Sequence, residues 1–212
     1  MLVQTCRLGG VKITGESDVV LDGCTITDNG GYGARNARIT EYGLLAERSA
    51  KAVIEKSVVG GNEGPGIAVT RGARVEISSA KIQGNGVTRM EPGVYIEDSE
   101  GSVKNCRILD NGGPGIFVKR AKIAADNNQV ESNGTLLCRH EHAGVLCLES
   151  PQSKLIDNRI VNNGVDEARL AAISKRDSED SEIVRCGNVS TSPMWYRYLK
   201  STERVMRPKD RR

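Results

Sequence analysis

Aromatic side chains are nearly missing, at 3 % of the 212 residues, with one Trp and one Phe. An ordinary globular core leans on such rings, so this chain must build its interior another way. Long apolar runs are missing too, and none approaches the ~20 residues that span a bilayer; no membrane role is expected. The net charge of +3 is too small to name a partner. Met1-Leu2-Val3-Gln4-Thr5-Cys6 lacks the basic and apolar blocks of a signal peptide. The setting expected is therefore cytoplasmic, where the six cysteines stay reduced.

What the chain has is glycine, 24 residues of it, and a repeated phrase. Asn111-Gly112-Gly113-Pro114-Gly115-Ile116-Phe117-Val118 is its clearest copy, and Asn62-Glu63-Gly64-Pro65-Gly66-Ile67-Ala68-Val69 is another. Gly and Pro are turn residues, through positive φ and fixed φ respectively. The β-branched triplet that follows reads as a strand. From the glycine before each triplet to the Asn that ends the unit, the spacing is 19 for Gly43–Asn62, Gly66–Asn85 and Gly144–Asn163, and 18 for Gly93–Asn111 and Gly115–Asn133. The return from Asn to the next Gly varies between 4 and 14 positions. Constant blocks joined by variable loops are the mark of a solenoid.

Alternation inside each block gives three short strands. Leu21, Ile54, Ile77, Val103, Ala125, Leu155 and Ile183 align in the second strand. A column of Cys6, Cys24, Ser57, Ala80, Cys106, Asn128, Asn158 and Cys186 opens the third. Ala172 is read as opening a seventh, degenerate rung. The fold predicted is all-β: a right-handed single-stranded parallel β-helix of about seven rungs, roughly 35 Å long at ~4.8 Å per rung. It should occupy residues 1–190, followed over 191–212 by an aromatic cap around Trp195 and a basic tail. Residues 194–212 carry net +5, leaving −2 for the rest.

The Gly-Ile-x-Val … Asn-x-Ile-x-x-Asn-Gly pattern resembles the pectate-lyase-like β-helix superfamily. It is most similar to its carbohydrate-binding/sugar-hydrolase-type repeats, as in periplasmic copper-processing proteins and the β-helical F-box and Shc-SH2-binding protein families. The resemblance implies the fold over residues 6–190, while activity must be argued from sites.

Those sites are sparse. Asp22 and Glu55 occupy neighbouring rungs, but Asp28 and Asp110 stand three rungs apart, a poor arrangement for two carboxylates that must flank one bond. Asp-Pro-His-Asp, Gly-His-Gly and Arg-Ile-Lys motifs are missing. The cysteines are spread over distant rungs and read as core hydrophobes. Cys138-Arg139-His140-Glu141-His142 fits no zinc spacing with a known ligand order. No enzyme activity, cofactor or metal is expected, and the terminal asparagines are given a structural role.

The outward rows are more telling. Leu45, Ala68, Tyr95, Phe117 and Leu146 follow the rung glycines at one step and form an apolar ridge, the expected partner interface. Arg7, Lys81, Arg107 and Arg159 make a secondary basic face, with no motif or aromatic interleaving for sequence-specific nucleic acid. The expected function is a non-catalytic protein–protein interaction or scaffold module, a rigid subunit of a larger intracellular assembly, cytoskeletal or ciliary in type. Its basic tail would meet an acidic surface. The alternative is a carbohydrate-active lyase or epimerase, or a glycan-binding β-helix.

Overall fold

The structure, a computed structural model, describes residues 1–31, 41–134, 143–150, 152–171 and 185–186. The 191–212 cap and tail, Ala172, and the Cys138, His140 and His142 loop lie outside the described residues. What is described is strand and turn throughout, with no helix.

One turn shows the plan. Ile67–Thr70 gives its strand to the first sheet, Arg74–Ser78 to the second and Lys81–Gln83 to the third. Every strand pairs in parallel with its counterpart one turn away. Five successive turns of this kind fill residues 44–161. Val11–Thr14, Asp18–Asp22 and Thr25–Thr27 precede them, Leu2–Gln4 adds an edge strand, and Val165–Ala171 and Arg185–Cys186 extend the first and second sheets. The fold is a parallel β-solenoid.

From Leu2–Gln4 to Arg159–Val161 each strand is followed by a left-handed residue, doubled at Arg48–Ser49 and Arg71–Gly72, and that is what bends the chain into a triangle. Arg71, Ser79 and Gly84 have φ of +56°, +53° and +61° in one turn. Non-glycine residues there cost ~1 kcal/mol each, so the corners depend on stacking for support. The terminal asparagines are not themselves left-handed. Positive φ falls one residue earlier, at Asp28, Asp110, Ser132 and Asn162, which frees the Asn side chains to point inward.

There they form a buried ladder. Asn62 donates from Nδ2 to Asn85 Oδ1 at 2.8 Å, Asn85 to Asn111 at 3.0 Å, and Asn111 to Asn133 at 2.8 Å. The backbone N–H of each donates to the same oxygen. The rung glycines explain the composition differently from turn chemistry, because Gly43, Gly66, Gly93 and Gly115 do not have positive φ. A Cβ on any of them would meet the carbonyl of the next rung glycine and an Asn amide of the ladder within 3 Å.

Aliphatic stacks fill the interior. Ile54, Ile77, Val103, Ala125 and Leu155 are buried in register, as the alternation predicts. Three expectations at the ends are corrected. Leu2–Gln4 pairs with Thr25–Thr27 through Leu2↔Thr25 and Val3↔Ile26. Cys6 therefore stands at the Asn29 corner, not in the Cys24 column, and its N–H donates to Asn29 Oδ1. Val3, stacked on the inward Ile26, sets that register. The strand after Asn163 is Val165–Ala171, ahead of Ala172, because Gly164 leads straight into β-branched Val165 without a Pro-Gly turn. Leu155 pairs with Arg185 and Ile156 with Cys186, two residues off the predicted Ile183 register. A two-residue strand has too little alternation to fix a register.

Candidate functional site

The outer face of the first sheet carries the predicted row in the predicted register, Leu45↔Ala68↔Tyr95↔Phe117↔Leu146. It is not an open ridge. Leu45 and Leu146 are 5 % exposed and Ala68 is fully buried. The cause is local for Leu45 and Ala68. Tyr42, the last residue of the long return before Gly43, packs on Leu45 and Ala68 with Tyr95 alongside. The Tyr42 carbonyl accepts from Gly10 N–H at 3.0 Å and the Glu41 carbonyl from Gly64 N–H at 2.6 Å, which clamps these two residues to the turns on either side. What stays half-open is Tyr95 and Phe117, rings 5.4 Å apart and tilted by 52°.

Two residues further along each strand, period 2 puts a second outward row beside the rings. Tyr95 donates its hydroxyl to Glu97 Oε2 at 2.7 Å. Glu97 Oε1 faces Lys119 Nζ at 3.1 Å and Arg120 Nη2 at 2.7 Å, and Arg120 also grips Asp98 with two bonds of 2.8 and 2.9 Å. Burial and the bond to Glu97 push the Tyr95 phenol well up, while that same bond and the two cations hold the Glu97 carboxyl down. Arg120 holds Asp98 down likewise. These carboxylates are fixed anions rather than groups poised to exchange protons near neutrality.

Glu47 belongs to the same row. Its carboxylate is 6 % exposed, between Lys12 Nζ at 2.8 Å and Arg71 Nη1 at 2.9 Å. The Lys12 hydrogen bond leads in lowering its pKa below the ordinary 4.5. A depressed carboxylate adds stability above its unfolded pKa and loses it as pH falls through the folded value. Glu47→Gln is therefore expected to lose about 1 kcal/mol at pH 7. The gap to wild type should close between pH 4.5 and lower values in urea titrations. A gap that widens on acidification would contradict the pairing.

On the other side of the rings stand the return loops. Buried Glu41, 2 % exposed, pairs with Arg89 across two turns. Thr88 donates to Glu63 Oε2 at 2.7 Å. Glu91 is held by its backbone: its N–H donates to Gly86 O at 3.1 Å and its carbonyl accepts from Gly113 N–H at 2.8 Å. This seats Glu91 over the turn that leads into Phe117. Burial raises its carboxyl pKa, with Arg89 opposing.

The other candidates stay apart. Lys81, Arg107 and Arg159 do lie in one outward row of the third sheet, but Leu2 holds the position expected for Arg7. Arg7 lies past that edge strand, because the strand begins five residues earlier than the Cys6 alignment implied. Arg159 is paired with Glu131 at 3.2 Å, so the face is partly neutralised. Asp22 and Glu55 are direct neighbours in the second sheet. Cys24, Cys106 and Cys147 are buried, and burial pushes the Cys106 thiol up. A groove of ~520 Å³ between the first and second sheets mixes Arg74, Arg120 and Lys122 with Asp98, Glu100 and Glu149, so its charges cancel. Among the described residues no three His, Cys, Asp or Glu side chains gather as metal ligands.

Glu47, Glu97, Lys119 and Arg120 were missed from the sequence, although period-2 counting from the ridge reaches the first three. Glu41 and Arg89 lie in irregular returns that carry no such signal.

Comparison with curated proteins finds no match. Among solved structures the chain is similar to the A-module of the mannuronan C-5 epimerase AlgE4 from Azotobacter vinelandii, at 17 % identity and a TM-score of 0.52. The match covers 76 % of this chain and 45 % of that one, so the chain spans about half the length of its structural relative. At that identity the likeness shows the fold alone, a pectate-lyase-like parallel β-helix. The family model for the right-handed β-helix region matches residues 10–186, and the chain belongs to that family.

Proposed function

We propose that the chain is a non-catalytic interaction module, a rigid subunit that presents the first-sheet face to a protein partner in a larger intracellular assembly. The observation that carries this is the half-open Tyr95–Phe117 pair in a chain with few rings. Leu45, Ala68 and Leu146 support the rings from within the face rather than touching the partner. Burying two such rings contributes ~1.5–3 kcal/mol each by area, enough for anchors. The committed carboxylates beside them favour binding over acid–base chemistry. Cys24 and Cys106, buried and free, suit a reducing compartment. Seven rungs closed by the aromatic segment around Trp195, with the basic residues of 204–212 attracted to acidic surfaces and the Lys81, Arg107 and Arg159 row as a secondary contact, complete this reading.

The test is capture of partners from the native source, identified by mass spectrometry, with wild type and a Tyr95→Ser/Phe117→Ser double variant. The variant should lose the specific partner while its β-sheet circular dichroism persists and melting falls by only a few degrees. A partner retained by the folded variant would move the interface elsewhere.

A second reading, a carbohydrate-active or glycan-binding role, draws on the half-open Tyr95–Phe117 pair as a surface on which a sugar ring stacks. The relative named above is a mannuronan epimerase. Turnover in a uronate absorbance assay, or specific retention on a glycan array, would replace the first reading.

A further inference from the structure

In its described part, the return-loop wall beside the two rings is acidic. Its described charged residues are Glu41, Glu63, Glu91 and Arg89, three carboxylates against one guanidinium. Arg89 is committed to buried Glu41. Glu63 is engaged by the Thr88 hydroxyl. Glu91 is left with Arg89, already paired with Glu41, as a shared countercharge, on a backbone fixed against Gly86 and Gly113. On the opposite side Glu97 and Asp98 are already neutralised by Lys119 and Arg120. The face thus offers two tilted ring surfaces and one half-buried carboxylate four residues before Tyr95, its backbone bonded to Gly113, four residues before Phe117, with no ion pair to it among the described residues.

That combination has a definite complement. Ring faces carry negative quadrupole potential and attract a cation within ~6 Å of the centroid, more strongly when it is partly desolvated. A nearby carboxylate adds a charge-assisted bond to the same group. An anion would meet Glu91 unscreened, and a neutral apolar group would leave Glu91 buried without a partner.

We propose that Tyr95, Phe117 and Glu91 together receive an arginine or lysine side chain from a basic segment of the protein partner. The proposal rests on the reading of this face as an interface and names the chemistry that the interface selects. Arginine fits better than lysine, because its plane lies along a ring while its edge donates twice to one carboxylate.

The experiment titrates isotopically labelled full-length chain with blocked Gly-Arg-Gly-Arg-Gly peptide up to several millimolar, with lysine, glutamate and leucine counterparts, and follows the assigned amides by NMR. The arginine peptide should give saturable shifts at Glu91, Tyr95 and Phe117, and the glutamate peptide none. Glu91→Gln, and separately Phe117→Leu, which keeps apolar bulk but removes the ring face, should each raise the apparent Kd about fivefold. Melting curves confirm that both variants are folded. An unchanged Kd in folded Glu91→Gln, or equal shifts from the glutamate peptide, overturns the cation site. Saturable binding of the leucine peptide alone also overturns it but leaves the interface standing. No saturable shift from any peptide removes the cation site, and partner capture then decides the interface separately.

Discussion

Asn111→Ala is expected to lower the unfolding free energy by about 4 kcal/mol, summing roughly 1–3 kcal/mol for each buried polar group stranded. Asn111 Oδ1 accepts both the backbone N–H of Asn85 at 3.0 Å and its Nδ2 at 3.0 Å. Asn111 Nδ2 donates to Ile82 O at 3.3 Å and Asn133 Oδ1 at 2.8 Å. Alanine removes all four bonds, and the groups it strands on Asn85 and Asn133 belong to fully buried residues. The loss also propagates, since each Asn fixes the one on the next turn. An exposed counterpart gives the control. Asn127 Nδ2 donates to Asn105 Oδ1 at 2.7 Å at the protein surface, and Asn127 has φ +52°. Asn127→Gly deletes an amide–amide bond of the same length while tolerating that φ, so it should cost under ~1 kcal/mol. Urea denaturation of both variants measures the contrast. Similar small losses at the two sites would show that the buried ladder is not what holds the turns together.

Much of the fold was legible because one short signal was repeated. The Gly-to-Asn block length located every turn of the body, and alternation placed Ile54, Ile77 and Val103 inside in register. The Leu45 to Leu146 row was legible as a register but not as a surface. Alternation tells which way a side chain points from its sheet, not what then folds over it, and Tyr42 reaches the row from an irregular return. The Glu41–Arg89 pair joins two returns of different length and obeys no period. The edge strand at Leu2–Gln4 was misplaced because Cys6 matched Cys24 by residue type, whereas stacking of Val3 on Ile26 decides the pairing.

The corners tie stability to the candidate site. The Asn ladder and the rung glycines hold the first-sheet strands at the pitch that brings Tyr95 onto Phe117. Left-handed Arg71, Asp98 and Arg120, with φ of +56°, +49° and +44°, point the charged row along the same face. A partner on this face would therefore meet side chains whose spacing is set by the core, which lowers the ordering cost of binding.

Gly66→Ala is expected to cost about 3 kcal/mol, near the upper end of overpacking penalties. Nothing in the backbone of Gly66 forbids alanine, since its φ is not positive. In the unfolded chain alanine is even mildly favourable, by ~0.4–1 kcal/mol. Space is the obstacle. The new Cβ would lie 2.7 Å from Gly93 O and 2.8 Å from Asn85 Nδ2. Neither is the loose end of a flexible side chain: Gly93 O accepts from Ile67 N–H at 3.0 Å, and Asn85 Nδ2 donates to Val59 O at 3.1 Å and to Asn111 Oδ1 at 3.0 Å. Relief requires moving adjacent turns apart or releasing a ladder amide, and both spend buried hydrogen bonds. Gly72 supplies the opposite case. It has φ +78° and open space, with Ser49 Oγ 4.0 Å away as the one neighbour of an added Cβ. There alanine should cost only ~1 kcal/mol, the penalty of left-handed backbone, and asparagine less. At Gly66 the order reverses, because asparagine is larger than alanine in a site without room. Melting and urea curves for alanine and asparagine at both positions decide the matter, and asparagine tolerated better than alanine at Gly66 would show that conformation, not close approach, selects glycine there.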